Sequence, residues 1–114
     1  MTAAEFDLII YRKTTVTFSL ALALGDTTPN ITADTVTLRL FDQRTRALVL
    51  QYNADVTTNG AAGVALFTLT PAQTNIPAGA YYVDIVWYRS DGKVYLPVRD
   101  TVTVYDRLSA TAEV

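Results

Sequence analysis

Ten consecutive residues, Thr15 to Leu24, alternate between two kinds of side chain. Val16, Phe18, Leu20, Leu22 and Leu24 fall on one set of positions, and Thr15, Thr17, Ser19, Ala21 and Ala23 on the other. Successive side chains of a strand leave opposite faces, so this period of two describes a half-buried β-strand. A helix would spread both sets around its circumference and bury neither. The rhythm returns at Val36, Leu38 and Leu40, at Leu48, Leu50 and Tyr52, and at Ala65, Phe67 and Leu69. It returns again at Tyr81, Val83, Ile85 and Trp87, and closes at Val102 and Val104. With Phe6 to Tyr11 in front, the pattern predicts seven or eight strands.

The breaks between these runs carry turn chemistry. Gly25 to Asn30 is a polar loop containing Pro29, and Asp42 to Thr45 suits a hairpin connection. Asn59-Gly60 and Asp91-Gly92 are turn dipeptides, because Asn, Asp and Gly tolerate positive φ. Thr70-Pro71-Ala72-Gln73 has a capping residue, Pro in the first position and Gln three residues after the cap, which predicts at most one helical turn.

Short strands separated by turns, without long helices, predict an all-β fold, an antiparallel immunoglobulin-like β-sandwich, with a small barrel as the competing architecture. Tyr81, two residues after Gly79 at the start of a late strand, suits the corner in which a tyrosine hydroxyl ties back to upstream backbone; the competing reading is a plain core aromatic. Trp87 is expected to face inward. The 114 residues are read as one domain, with an N-terminal arm over about 1–5 and a C-terminal tail over about 107–114.

Composition removes most reaction chemistry. Histidine and cysteine are both absent, which takes away the commonest general base, thiolate nucleophiles, disulfides and most transition-metal sites. Ser19, Ser90 and Ser109 have no activating partner nearby in sequence, and Lys13 and Lys93 lie beside turns where burial would not lower their pKa. Most carboxylates fall in turns or at strand ends, and Asp55, Asp84 and Asp100 do not make a calcium-ligand spacing. No glycine-rich phosphate loop is present. The expectation is a non-enzymatic protein with no metal and no cofactor. A net charge of −2 with scattered Lys and Arg disfavours nucleic acid as a partner. The longest strongly apolar run, Phe18 to Leu24, falls far short of the roughly 20 residues that span a bilayer, so no membrane partner is expected.

Surface remains as the carrier of function. If the inward sets are as described, Phe41, Val49, Tyr82, Val86, Tyr88 and Tyr95 point outward from neighbouring strands. Together they predict an apolar, tyrosine-rich protein-interaction face, against the plainer reading of cross-strand pairs that only stabilise a sheet.

The order of these motifs resembles the immunoglobulin-like N-terminal domain of phage baseplate upper proteins. The similar segments are Asp7 to Leu20, Pro29-Asn30-Ile31-Thr32 leading to Val36, and Gly63 to Thr70. They continue with Ala78 to Ile85, the Asp91-Gly92 hairpin and Thr101 to Val104. The chain departs from that pattern at Arg12-Lys13-Thr14-Thr15, where the family has Gly and Asp, and it is read as a free-standing copy, without the stalk that follows the family's domain. The resemblance implies a virion structural protein assembled in the host cytoplasm, with phage structural proteins, either the major capsid protein or tail and baseplate proteins, as partners. As a free-standing copy it is expected to be a capsid decoration or cement protein docking through a sheet face, with homo-oligomerisation open. The alternatives are a tail or baseplate component linking tail parts or fibres, and a carbohydrate-binding module using exposed aromatic rings.

Overall fold

A computed structural model describes residues 8–106. The expected arm over 1–5, the tail over 107–114 and the start of the strand expected from Phe6 lie outside the described residues.

Among the described residues seven strands form: β1 (Ile10–Tyr11), β2 (Val16–Ala21), β3 (Thr35–Asp42), β4 (Leu48–Asn53), β5 (Val64–Leu69), β6 (Gly79–Tyr88) and β7 (Val94–Tyr105). Among the described residues there is no α-helix, only a 3-10 turn at Gly60–Ala62. The strands make a five-stranded sheet in the order β1-β7-β6-β3-β4 and a two-stranded sheet of β2 and β5. The all-β expectation holds, but the antiparallel one needs correction. β1 runs parallel to β7, pairing Ile10 with Val104 and Tyr11 with Tyr105, so the larger sheet is mixed. This pairing joins opposite ends of the chain, and no local pattern reports the direction in which such distant segments meet.

The alternation places the core. Leu20 and Leu22 at β2, Ala65, Phe67 and Leu69 on β5, and Val36, Leu38 and Leu40 on β3 all bury into one cluster. Tyr81, Val83, Ile85 and Trp87 of β6 join them, with Val98, Val102 and Val104 of β7. Each fully buried large side chain contributes about 1.5–3 kcal/mol of transfer free energy. Phe18 and Phe67 are direct cross-strand partners, and their rings stack with centroids 4.5 Å apart. β2 ends at Ala21, earlier than the alternation suggests, although the Leu22 amide still donates to the Gly63 carbonyl at 2.8 Å. The opposite set, Thr15, Thr17, Ser19, Ala21 and Ala23, is exposed, as the pattern predicts.

Two interruptions have local causes. Pro97 lacks an N–H for the ladder, and the β6–β7 register shifts across it, from Ile85 opposite Val98 to Trp87 opposite Tyr95. The Asp91-Gly92 turn forms as expected, with Gly92 at φ +94 and the Asp91 carboxylate accepting from the Lys93 amide at 3.0 Å. The Asn59-Gly60 dipeptide behaves differently. Asn59 stays at φ −120, and the left-handed conformation falls on Gly63, at φ +78. A Cβ there would lie 2.7 Å from the Thr28 methyl and 3.0 Å from the Pro29 carbonyl, so both backbone and space require glycine.

At Thr70 to Gln73 the reciprocal cap is present without a helix. The Thr70 amide donates to Gln73 Oε1 at 2.8 Å, and the Gln73 amide donates to Thr70 Oγ1 at 3.3 Å. The Tyr81 hydroxyl donates to the Pro77 carbonyl four residues upstream, the backbone tie expected from its position.

Candidate interaction face

The five-stranded sheet turns one face to the core, and the register identifies the residues on the other. Because cross-strand partners share a face, Thr37, Arg39 and Phe41 of β3 stand outward beside Val86, Asp84 and Tyr82 of β6. Near the middle, Arg39 forms a bidentate pair with Asp84, both bonds 2.8 Å long. The pair divides the outer face in two. Arg39 has its pKa raised, chiefly by the hydrogen bond to Asp84, so this guanidinium stays charged throughout the accessible pH range.

On one side of the pair lies an apolar group. Tyr88 and Val94 are direct cross-strand partners, 41% and 57% exposed, and Leu96 on the same strand is 43% exposed. Val86, also on an outward position, is only 6% exposed. It is enclosed on the outer surface itself, where its β3 partner Thr37 is buried too and donates to Asn53 Oδ1 at 2.8 Å.

On the other side, Phe41 and Tyr82 are cross-strand partners and both are half-buried. Each ring carries a guanidinium: Arg39 lies 5.2 Å from the Phe41 centroid and Arg46 lies 5.0 Å from that of Tyr82. Val49 is exposed at a bulge on the edge strand β4, where Leu48 pairs with Phe41. Tyr11 and Tyr105 are exposed at the β1–β7 edge, with ring centroids 5.7 Å apart. A depression of about 370 Å³ opens beside Phe41 and Tyr82, lined by these two and by Arg46, Val83, Asp84, Arg99 and Asp100.

Of the six residues read from sequence as one outward patch, Phe41, Val49 and Tyr82 therefore gather at one end, and Val86 and Tyr88 at the other. Tyr95 belongs to neither. The tight turn at Asp91-Gly92 sets Tyr95 opposite Trp87, and a partner of an inward residue must itself face inward. Its ring packs 5.3 Å from that of Trp87. Sequence reasoning missed Val94 and Leu96, which need the hairpin register, and Arg46 and Arg99, which approach the same depression only through folding.

Beneath the apolar end sits a buried polar knot that sequence reasoning also missed. Trp87 is 0% exposed, and its indole N–H donates to Asp34 Oδ2 at 2.8 Å. Asp34, 6% exposed, also accepts the Ser90 amide at 2.9 Å. The Arg89 Nε lies 3.1 Å from the same carboxylate, an ion pair too poorly aligned for a hydrogen bond. An inward tryptophan needs a buried acceptor for its N–H, and that requirement was the signal in the sequence. Trp87 is thus a core anchor and offers no exposed ring.

Two further carboxylates are engaged by their own loops. Asp55 accepts from the hydroxyls and amides of both Thr57 and Thr58, which holds its carboxyl far below the usual range. Asp42 accepts the Thr45 and Arg44 amides, which lower its pKa as well. Among the described residues no three acidic side chains come together as a metal-binding group.

No known protein-family model matches the chain, and comparison with curated proteins returns no match.

Proposed function

We propose that this chain is an immunoglobulin-like binding module without enzymatic activity, and that it decorates a phage capsid by docking through the outer face of its five-stranded sheet. The observation that carries the docking surface is the exposed group Tyr88, Val94 and Leu96 around the enclosed Val86, continued past the Arg39–Asp84 pair by Phe41 and Tyr82. Apolar and aromatic side chains grouped on one face are a common mark of protein interfaces. Two features support the immunoglobulin-like reading. The strand order β1-β7-β6-β3-β4, with β2-β5 as the second sheet, corresponds to the two-sheet arrangement of such domains. The Tyr81 hydroxyl tie at the entry to β6 corresponds to their tyrosine corner.

The phage assignment rests on the ordered motif resemblance from Asp7 to Val104. That resemblance also favours a second location, in the tail or baseplate, since the similar domains belong to baseplate proteins. Copy number separates the two. Quantitative mass spectrometry of purified particles should find hundreds of copies for a shell protein and about a dozen for a tail part. Absence of the chain from particles refutes both. Replacing Tyr88 and Leu96 with Ser should abolish docking while the variant still unfolds in one cooperative urea transition, at a lower midpoint because each side chain, 41% and 43% exposed, is partly buried. Undiminished docking would remove the outer face from consideration.

A further inference from the structure

The depression beside Phe41 and Tyr82 carries an imbalance of charge. Asp84 is held by both nitrogens of the Arg39 fork, and Asp100, the cross-strand partner of the inward Val83, alternates away from the side of the sheet that carries Asp84 and Arg99. The depression's two guanidinium groups are left uncompensated on that side. Among the described residues, neither Arg46 nor Arg99 has an ion-pair partner. Both line the depression together with the rings of Phe41 and Tyr82.

Arg46 is also held there against its backbone preference. It occupies the left-handed region at φ +63, in the turn where its amide donates to the Asp42 carbonyl at 2.8 Å. Glycine is the residue that this conformation favours. A strained non-glycine residue whose side chain lies over a ring at a depression is a feature that points toward function.

From this geometry we infer that the depression binds a carboxylate side chain, Asp or Glu, on an acidic segment of the protein to which the module docks. Arg46 and Arg99 supply forked donors matched to a carboxylate, and the ring of Tyr82 fixes where the Arg46 fork lies. Phe41 and Tyr82 cover the flanking aliphatic part of the bound segment. The volume of about 370 Å³ is at the small end of ligand clefts, suited to one or two side chains rather than a folded element. The inference deepens the docking assignment and rests on the outer face being the one that meets a protein.

The test uses the isotope-labelled full chain, titrated with an acetylated hexaglutamate peptide and with its hexaglutamine counterpart, followed by amide chemical shifts. Hexaglutamate should shift the amides of Arg46, Tyr82, Arg99 and Asp100 saturably, and hexaglutamine should not. The double variant Arg46→Gln/Arg99→Gln should weaken that binding by roughly tenfold or more, with its urea midpoint close to wild type. The single variant Arg46→Gly, which relieves the backbone, should lose affinity while gaining stability. Shifts spread evenly over Arg12, Arg44 and Lys93 would overturn the inference, as would unchanged affinity in the double variant. Equal competition by inorganic phosphate or single-stranded oligothymidine would also overturn it, by showing a general anion site. If the double variant binds hexaglutamate and docks on particles like wild type while the Tyr88→Ser/Leu96→Ser variant does not dock, this inference fails and the docking face stands.

Discussion

Removing the Asp34 carboxylate should be among the most damaging changes available in this molecule. Asp34→Ala strands the Trp87 indole N–H and the Ser90 amide, which donate to it at 2.8 and 2.9 Å, and leaves the Arg89 guanidinium without its counter-charge. The buried Trp87 N–H left without a partner costs about 1–3 kcal/mol, and the amide of the exposed Ser90 costs less because water reaches it. The Arg89 side chain retains 21% exposure, so water recovers part of the ionic loss. The sum is about 3–5 kcal/mol, in line with breaking a buried pair by deleting one partner. For a domain of this size that lowers Tm by more than about 10 °C. Urea denaturation followed by tryptophan fluorescence measures it directly, because Trp87 is the sole tryptophan and sits at the altered site. The urea midpoint should fall with the slope unchanged. Asp34→Asn keeps an acceptor but adds a donor facing donors, and should cost about 2–3 kcal/mol. In a Trp87→Phe background, followed by circular dichroism, Asp34→Ala should cost about 1 kcal/mol less, since one stranded donor is already gone. A cost below about 1 kcal/mol for Asp34→Ala would refute the view that this knot organises the core.

Tyr81→Phe should lower stability by about 0.5–1.5 kcal/mol through loss of the hydroxyl tie to Pro77, read as a shift in urea midpoint. Burial raises the Tyr81 pKa above its ordinary 10.0, so the unfolded chain ionises first and stability should fall as pH rises past that value; Tyr81→Phe should flatten this alkaline slope. At the acid end, Asp55 is held low by the Thr57 and Thr58 donors, so its contribution is present above the ordinary 3.8 and lost as pH falls below it. Asp55→Asn should therefore flatten the decline in urea midpoint between neutral pH and pH values below about 4. Gly63→Ala should destabilise by about 2–4 kcal/mol, because its Cβ meets Thr28 and backbone at 2.7–3.2 Å as well as adopting φ +78. Gly92→Ala, with open space around it, should cost only about 1 kcal/mol, and equal losses at the two sites would contradict the steric argument.

Local chemistry in the chain already determined the strands and most of their inward faces. Leu38, Val83, Ile85 and Trp87 bury where period two puts them, since the alternation of a strand is a property of its own backbone. The Asp91-Gly92 hairpin and the Thr70–Gln73 cap form for equally local reasons. Tertiary structure decided whatever depends on distant segments meeting. The parallel pairing of β1 with β7 is one such result. Asp34 reads in sequence as an ordinary loop acid, and only the approach of β6, more than 50 residues later, buries it against Trp87. The outer face divided in the same way. Its residue types were legible as a tyrosine-rich patch, whereas its partition by the Arg39–Asp84 pair, and the meeting of Arg46 with Arg99, required strands β3, β6 and β7 to lie side by side. Periodicity specifies which side of a strand faces the core, and only the assembled sheet specifies which side chains become neighbours on the other side.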